Sequence, residues 1–201
     1  MPRPARYAKG IAKREEILDT ALEVIARSGY ARASVRELAD AVGLSQAGLL
    51  HYFASKEELY AAILLRRDQV DLARVNEVSP QLDAVRGIVR HNAEVPGLVQ
   101  LYARYSVEAT DPGHPAHADF VERYARIRRA LAEDISTRVA AGTLPAATDP
   151  ALLANILVAV MDGLQTQFLL EPGFDMAAHL DHLLSLLESD AAGVVATKAT
   201  G

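Results

Sequence analysis

Residues 34–59 read SVRELADAVGLSQAGLLHYFASKEEL and carry the pattern of two short amphipathic helices followed by the start of a third. Ser34 and Glu37 have the Ser-x-x-Glu spacing of a capping box, in which each side chain binds a free backbone amide at the start of a helix. Gly43 permits the left-handed backbone that ends a helix, and Ser45 can cap the helix after it. Two helices that meet at a tight glycine turn predict a helix-turn-helix.

The apolar positions of this stretch recur at helical spacing, which indicates one buried face on each helix. The residues expected on those faces are Leu38, Ala39, Val42, Leu49, Leu50 and Phe53. Ser55 and Glu58 repeat the capping-box spacing and predict the start of the next helix. A helix-turn-helix lays its second helix in the major groove of DNA, so the pattern favours a DNA-binding function.

The whole chain is predicted to be all-α, because Leu, Ala, Glu and Arg dominate and no β-type alternation is present. Its 201 residues are 50% hydrophobic and 23% charged, which is ordinary for a folded protein with a sizeable core. The absence of cysteine excludes disulfides and thiolate sites. We expect helices near 9–28, 35–42, 46–52, 56–76, 81–93, 97–109, 115–141, 150–169 and 176–190.

Charge divides unevenly along the chain. The overall net charge is −5, yet residues 1–60 carry +1 and residues 61–201 carry −6. The first fourteen residues contain five basic side chains and no acidic one: Arg3, Arg6, Lys9, Lys13 and Arg14. This polarity suits an N-terminal end that meets phosphate, although a solvated tail would have the same composition.

The quoted stretch also resembles the N-terminal domain of the TetR family of bacterial transcriptional regulators. The resemblance covers roughly residues 11–60 and rests on Gly-Tyr at 29–30, Ser-Val-x-x-Leu-Ala from 34, Gly-Leu-Ser from 43, Leu-x-His-Tyr-Phe from 49 and Ser-Lys-Glu-x-Leu from 55. It implies an N-terminal three-helix helix-turn-helix domain (1–55) and a C-terminal helical effector-binding and dimerisation domain (56–192). Gly193 and the Val, Ala and Thr residues after it predict a flexible tail (193–201).

One departure from the family pattern changes the expected DNA contacts. Members often carry Lys-Gly-Thr-Leu-Tyr where this chain has Gln-Ala-Gly-Leu-Leu at 46–50. The tyrosine that commonly reaches the DNA backbone there is Leu50, so that contact is not transferred to this chain.

By this resemblance, the helix that begins after Ser45 enters the major groove. Gln46 can pair with adenine, Ala47 can touch a thymine methyl group, and Gly48 allows close approach of the backbone. His51 and Tyr52 are placed to meet a phosphate or a base edge. Packing of Tyr52 against the first helix is the alternative, since tyrosines often lie at such seams.

Further contacts are expected to the DNA backbone. Ser34, Arg36 and Lys56 are candidates for phosphate binding, which positions a domain without reading sequence. Each could equally be an ordinary solvated side chain. One helix-turn-helix, or reading head, covers only a few base pairs. Specific binding therefore predicts a homodimer on a palindromic operator in double-stranded DNA. The resemblance places the dimer surface in residues 150–190, with a monomer core as the alternative.

The middle and C-terminal helices hold polar and aromatic residues in apolar surroundings, the composition of a small-molecule pocket. The candidate ligand-binding residues are His91, Asn92, Tyr102, Tyr105, Ser106, Phe120, Tyr124, Asp162 and Gln165. The same composition describes a core with satisfied polar groups. The unknown small-molecule effector is therefore implied by the resemblance alone.

Other functions receive little support from the sequence. The pairs His114/His117 and His179/His182 have i, i+3 spacing but lack an evident third ligand, so no metal and no cofactor are expected. No phosphate loop, nucleophile elbow or HExxH motif is present, and we predict no enzyme. The apolar run 151–161 is too short to span a bilayer and no signal peptide is evident, so a cytoplasmic location and no membrane association are expected.

The sequence thus favours a sequence-specific DNA-binding regulator, and the resemblance implies a repressor released from its operator by a small-molecule effector. A helix-turn-helix protein that has no small-molecule ligand and is controlled by a protein partner is the alternative. The sign of regulation, the operator sequence and the effector are not encoded in any recognisable motif.

Overall fold

The computed structural model describes residues 3–30, 32–76, 81–171 and 173–198, with side chains described at 8–30, 32–71, 82–171 and 173–188. All regular secondary structure in these ranges is helical, which confirms the all-α prediction. The helices are α1 Arg3–Ser28, α2 Val35–Ala41, α3 Gln46–Leu50, α4 Lys56–Asn76, α5 Gln81–Glu94, α6 Pro96–Glu108, α7 His117–Ala140, α8 Pro150–Leu170 and α9 Met176–Lys198.

Two helices are longer than the sequence suggests. Helix α1 begins six residues before the expected start at residue 9, and Pro4 falls in its first turn, where proline is tolerated. Helix α9 continues past residue 190 to Lys198, through most of the segment expected to be a flexible tail. Gly193 lies inside it, because one glycine costs a helix about 1 kcal/mol and does not by itself end it.

Contacts between residues group the chain into two compact units, of which the first is Met1–Ala73 with Val95–Phe120. Its core combines the apolar faces of α1, α2, α3, α4 and α6. The largest fully buried side chains are Ile17, Ile25, Leu38, Leu49, Phe53, Leu59, Tyr60, Ile63 and Leu101. Helices α1 and α6 touch where Gly97 lies against the backbone of Ile25 and Gly29.

The second unit is Arg74–Glu94 with Val121–Gly201, and its core is built from α5, α7, α8 and α9. A charged network ties three of these helices together. Arg86 on α5 pairs with Asp83 at 2.6 Å and with Glu188 on α9 at 3.2 Å. Arg138 on α7 pairs with the same Asp83 at 3.0 Å and with Asp134 at 3.0 Å. Because these side chains are partly exposed, the network aligns helices more than it stabilises them.

Helix α8 has an apolar face that no described residue covers. Leu152 and Ile156 are 60% and 55% exposed, and Leu170 is 78% exposed. By length and composition, α8 is the one helix among the described residues that could cross a membrane, although a core helix of a water-soluble protein passes the same test. The apolar run 151–161 is part of this longer helix, and the expected absence of membrane association stays a prediction.

The compact units follow contacts rather than the order of the chain. They place α6 with the N-terminal helices and divide α4 between residues 73 and 74. The functional domain boundary expected at residues 55/56 stays a prediction.

Candidate nucleic-acid interface

Helix α2 is closed at both ends by the contacts that its sequence predicts. The backbone N–H of Ser34 donates to the Glu37 carboxylate at 2.9 Å, and the N–H of Glu37 donates to Ser34 Oγ at 3.2 Å, which confirms the capping box. At the other end Gly43 has a φ of 68°, and the N–H of Leu44 donates to the Ala39 carbonyl at 2.9 Å. This is a Schellman motif, and it changes the direction of the chain immediately before α3.

Helix α3 is a short element held by its cap and one buried residue. Ser45 Oγ accepts the N–H of Gly48 at 3.0 Å, and Leu49 is fully buried beneath. A Cβ at position 48 would lie 3.2 Å from Ser45 Oγ, so glycine also leaves room for the cap. Gln46 and Ala47 are exposed on the opposite side. The first turn of α3 therefore presents an amide and a methyl group to solvent.

The turn between α3 and α4 departs in one detail from the expected second capping box. Ser55 Oγ accepts the N–H of Glu58 at 3.0 Å, as predicted. The Glu58 carboxylate, however, accepts the N–H of Ala54 at 2.7 Å rather than that of Ser55. The carboxylate thereby binds the residue before the cap.

The predicted DNA-contacting side chains reach the surface. Ser34, Arg36, Ser45, Gln46, Ala47, His51 and Lys56 are exposed, whereas Gly48 and Tyr52 are half-buried. The two cations among them have only weak local partners: Arg36 lies 3.9 Å from Asp40, and the Lys56 ammonium lies 5.7 Å from the centroid of the Tyr60 ring. Exposed pairs of this kind contribute little to stability, so these cations stay accessible to another anion. Their role at DNA remains a prediction.

Tyr60 is a buried residue of α4 that contacts the start of the helix-turn-helix, and no sequence pattern identified it. Its hydroxyl donates to the Ala33 carbonyl at 2.5 Å, next to the α2 capping box. The ring meets Tyr30 edge-on at 5.5 Å and Tyr105 of α6 at 5.8 Å. Burial, followed by the neighbouring Tyr30 and Glu37, raises the pKa of Tyr60 to about 12. Nothing in the sequence distinguishes this tyrosine from a surface one, because Ala33, Tyr30 and Tyr105 are 27 to 45 positions away along the chain.

The basic N-terminal residues behave differently from one another. The Arg14 guanidinium lies over the Phe53 ring at 4.7 Å and 3.6 Å from the Glu58 carboxylate. Lys13 pairs with Glu16 at 2.8 Å, and Lys9 is exposed. The side chains of residues 3 and 6 lie outside the described set.

In the first unit, four of the candidate ligand-binding residues lie on or beside α6. Tyr102, Tyr105 and Phe120 are buried, and the rings of Tyr102 and Phe120 stack at 5.8 Å. Burial raises the pKa of Tyr105. Ser106 Oγ donates to the carbonyl of Ala103 on its own helix at 2.9 Å. The three rings form part of the core of this unit.

The other five candidates lie in the second unit. The Tyr124 hydroxyl donates to Asp162 at 2.7 Å, which joins α7 to α8. Gln165 is buried and donates to the Met161 carbonyl at 3.3 Å. Asn92 is buried, and His91 is half-buried with Nδ1 3.4 Å from the Glu94 carboxylate. Several of these polar groups are satisfied by protein partners, so a ligand-binding role for the nine residues stays a prediction.

Histidines of both candidate metal-binding pairs have local partners in the structure. His114 lies in the turn before α7, where its Nδ1 accepts the N–H of Ala116 at 3.2 Å and its Nε2 is buried. His179 and His182 are both exposed on α9, and His179 Nδ1 lies 2.6 Å from the Asp175 carbonyl. Across the described side chains, no group of three or more His, Cys, Asp or Glu is arranged to hold a metal ion.

A capped helix, a left-handed glycine turn and a second helix with an exposed polar tip define a helix-turn-helix DNA-binding protein. Comparison with known proteins agrees. Residues 17–63 match the family model for bacterial regulatory proteins of the tetR family. Residues 112–190 match the model for the C-terminal part of BetI-type transcriptional repressors. The chain belongs to the TetR family of transcription regulators; it is a DNA-binding regulator and not an enzyme.

Individual relatives support this assignment over most of the chain. The transcriptional repressor AcnR of Corynebacterium diphtheriae is 27% identical over 176 residues, which cover 88% of this chain and 90% of the relative. The regulator RutR of Escherichia coli is 33% identical over 87 residues, 42% of this chain and 41% of the relative.

Solved structures agree with the fold. A transcriptional regulator from Saccharomonospora viridis, solved in complex with choline, is 26% identical with a TM-score of 0.66, covering 87% of this chain and 95% of that one. A TetR regulator from Haloarcula marismortui reaches a TM-score of 0.72 at 18% identity, covering 89% of this chain and 97% of that one.

Proposed function

We propose that this chain is a homodimeric repressor that occupies a palindromic operator in the bacterial cytoplasm and leaves it when a small-molecule effector binds. The observation that carries the proposal is the exposed tip of α3. Gln46 and Ala47 extend from a helix whose other side is fixed by the buried Leu49. A bidentate amide and a methyl group are suited to an adenine and a thymine in the major groove.

Dimerisation is supported by the uncovered face of α8. Leu152, Ile156 and Leu170 are exposed on one side of this helix, and Ala159 and Gly163 lie on the same side. Contiguous apolar surface of this kind marks an interface in a folded protein. A second copy of the chain is the occupant that DNA recognition requires, because two heads related by a two-fold axis read a palindrome.

Small-molecule control is supported by relatives. The C-terminal match is to BetI-type repressors, and a relative of 26% identity binds choline. In the proposed mechanism the effector binds within residues 80–170 and favours a conformation in which the two heads no longer fit adjacent half-sites. It releases the operator only to the extent that it binds this conformation better than the DNA-bound one.

Operator binding is tested by selecting duplexes from a random pool with the full chain at fixed salt, followed by gel-shift assays on DNA that flanks its own gene. We expect enrichment of a palindrome with half-sites separated by whole helical turns. Enrichment of no palindrome would contradict the proposal.

Effector binding is tested by thermal shift, with choline as the first probe and lipophilic metabolites after it. A true effector raises the melting temperature through mass action and lowers operator affinity in the same concentration range. If no compound does both, control by a protein partner becomes the better explanation.

A further inference from the structure

We propose that Arg14 is a positioning residue for DNA binding, which holds the turn between α3 and α4 in the orientation that the DNA backbone requires. Arg14 lies in α1, twenty residues before the helix-turn-helix begins. The basic composition of residues 1–14 favours a phosphate contact for Arg14, but its side chain contacts Phe53 and Glu58 of the protein itself. The inference rests on the DNA-binding function and is independent of the effector and the dimer.

Two contacts hold the Arg14 guanidinium. Its central carbon lies 4.7 Å from the centroid of the Phe53 ring, and Nη2 lies 3.6 Å from Glu58 Oε1. A planar guanidinium can stack on an aromatic face while its edge meets a carboxylate, whereas an ammonium group cannot do both. Phe53 is only 1% exposed, so the ring cannot move away without opening the core.

Glu58 connects Arg14 to the backbone of the turn. Its second carboxylate oxygen accepts the N–H of Ala54 at 2.7 Å, and its own N–H donates to Ser55 Oγ at 3.0 Å. The side chains of Arg14 and Glu58 therefore contact Phe53 and Ala54, and the backbone N–H of Glu58 binds Ser55, so three consecutive residues of the turn are held.

Two predicted DNA contacts flank these three residues. Tyr52 precedes them and Lys56 follows, so the backbone of the turn sets the direction of both side chains. The Arg14–Glu58 pair is about 40% exposed on each side, and such a pair adds little stability by itself. Its effect is expected on geometry rather than on folding.

The salt dependence of binding separates this role from a direct phosphate contact. A residue that neutralises a phosphate releases a counterion, and its loss lowers the slope of log affinity against log salt by about 0.9. A positioning residue changes affinity at every salt concentration by a similar factor and leaves the slope unchanged.

The experiment measures binding of the full chain to duplex DNA by fluorescence anisotropy between about 50 and 200 mM salt. Arg14→Gln should weaken binding by about three- to tenfold with the wild-type slope. Arg14→Lys should not restore affinity, because it keeps the charge and loses the stacking plane. The double variant Arg14→Gln/Glu58→Gln should bind no more weakly than Arg14→Gln alone, since both act through one contact.

Arg66→Gln is the matched control. Arg66 also joins α4 to α1, through a bidentate pair with Asp19 at 2.7 and 3.0 Å, but it does not touch the turn. Its loss should leave affinity within about twofold of wild type, the scale of one exposed pair. An equal loss in Arg66→Gln, or a slope lowered in Arg14→Gln, would overturn the proposal.

Hydrogen exchange gives a readout that does not depend on DNA. In Arg14→Gln the amide of Ala54 should exchange faster, while that of Gly48, capped by Ser45, should keep its protection. Unchanged exchange at Ala54 would contradict the positioning role even if affinity fell. If the wild-type chain bound no duplex at all, the DNA-binding function would fail, whereas the exchange result would still show whether Arg14 orders the turn.

Discussion

The hydroxyl of Tyr60, in the second turn of α4, donates a 2.5 Å hydrogen bond to the carbonyl of Ala33, the residue immediately before the α2 capping box. Both residues are buried, at 2% and 1% exposure. This bond ties the start of the helix-turn-helix to the helix that follows it. Removing the donor leaves a buried carbonyl without its partner.

Tyr60→Phe should therefore destabilise the first unit by about 1–3 kcal/mol, the cost of an unsatisfied buried acceptor. Urea denaturation followed by circular dichroism measures this change. Tyr52→Phe is the control, because Tyr52 is half-buried and no hydrogen bond of its hydroxyl is described. An equal loss in both variants would show that the Ala33 bond is not the cause.

Alkaline pH should weaken the fold through the same residue. Folding raises the pKa of Tyr60 from its ordinary value of 10.0 to about 12, so the folded state favours the neutral phenol. This contribution is fully present below pH 10 and is lost as pH rises toward 12, because the unfolded chain releases its proton first. Unfolding free energies from pH 9 to 12 should fall less steeply in Tyr60→Phe. Burial also raises the pKa of Tyr30 and Tyr105, so some pH dependence should remain.

Gly97→Ala should disrupt the contact between α6 and α1. A Cβ at position 97 would lie 2.4 Å from the Ile25 carbonyl oxygen and 2.7 Å from Gly29 Cα, both backbone atoms that cannot rotate away. Overpacking of this kind costs about 1–3 kcal/mol. Gly10→Ala is the control, because nothing lies within 4 Å of its Cβ position and alanine favours a helix. Equal midpoints for the two variants in urea would contradict the prediction.

Gly163→Arg should separate the proposed dimer without unfolding the chain. Gly163 lies on the exposed face of α8, and no atom lies within 4 Å of its Cβ position. Its smallness therefore has no function inside one chain and would serve close approach of a second copy. Sedimentation velocity should show monomers with an unchanged circular dichroism spectrum. The same substitution at Gly87, exposed on α5 with equally open space, should leave the dimer intact.

Gln46→Ala and Lys56→Ala should weaken DNA binding in different ways. Loss of the Gln46 amide should cost about 1–3 kcal/mol on the preferred operator and relax the choice of base at one position. Loss of Lys56 should weaken all duplexes alike and flatten the salt slope by about one unit. Selection from a random pool with each variant, followed by salt titrations, distinguishes the two. Identical base preferences in wild type and Gln46→Ala would remove Gln46 from direct readout.

Short-range sequence patterns are sufficient to predict the helix-turn-helix. The Ser34–Glu37 box, the left-handed Gly43 and the Ser45 cap each act over three or four residues, so their spacing was sufficient to predict them. The order and type of all nine helices in the described ranges follow from the same short-range periodicity. The resemblance to the TetR family is also visible in the sequence, because the motif residues lie within one continuous stretch.

Only the tertiary structure decided which residues hold the reading head in place. Arg14 and Glu58 are 44 positions apart, Tyr60 and Ala33 are 27 apart, and Gly97 meets a helix that ends 69 residues earlier. No periodicity encodes such pairs, since they depend on how helices pack rather than on how each one forms. The sequence by itself thus specified the helices and the helix-turn-helix motif. Long-range packing decided that Arg14 lies against Phe53 and Glu58, that Tyr60 binds the Ala33 carbonyl, and that no described residue covers one face of α8.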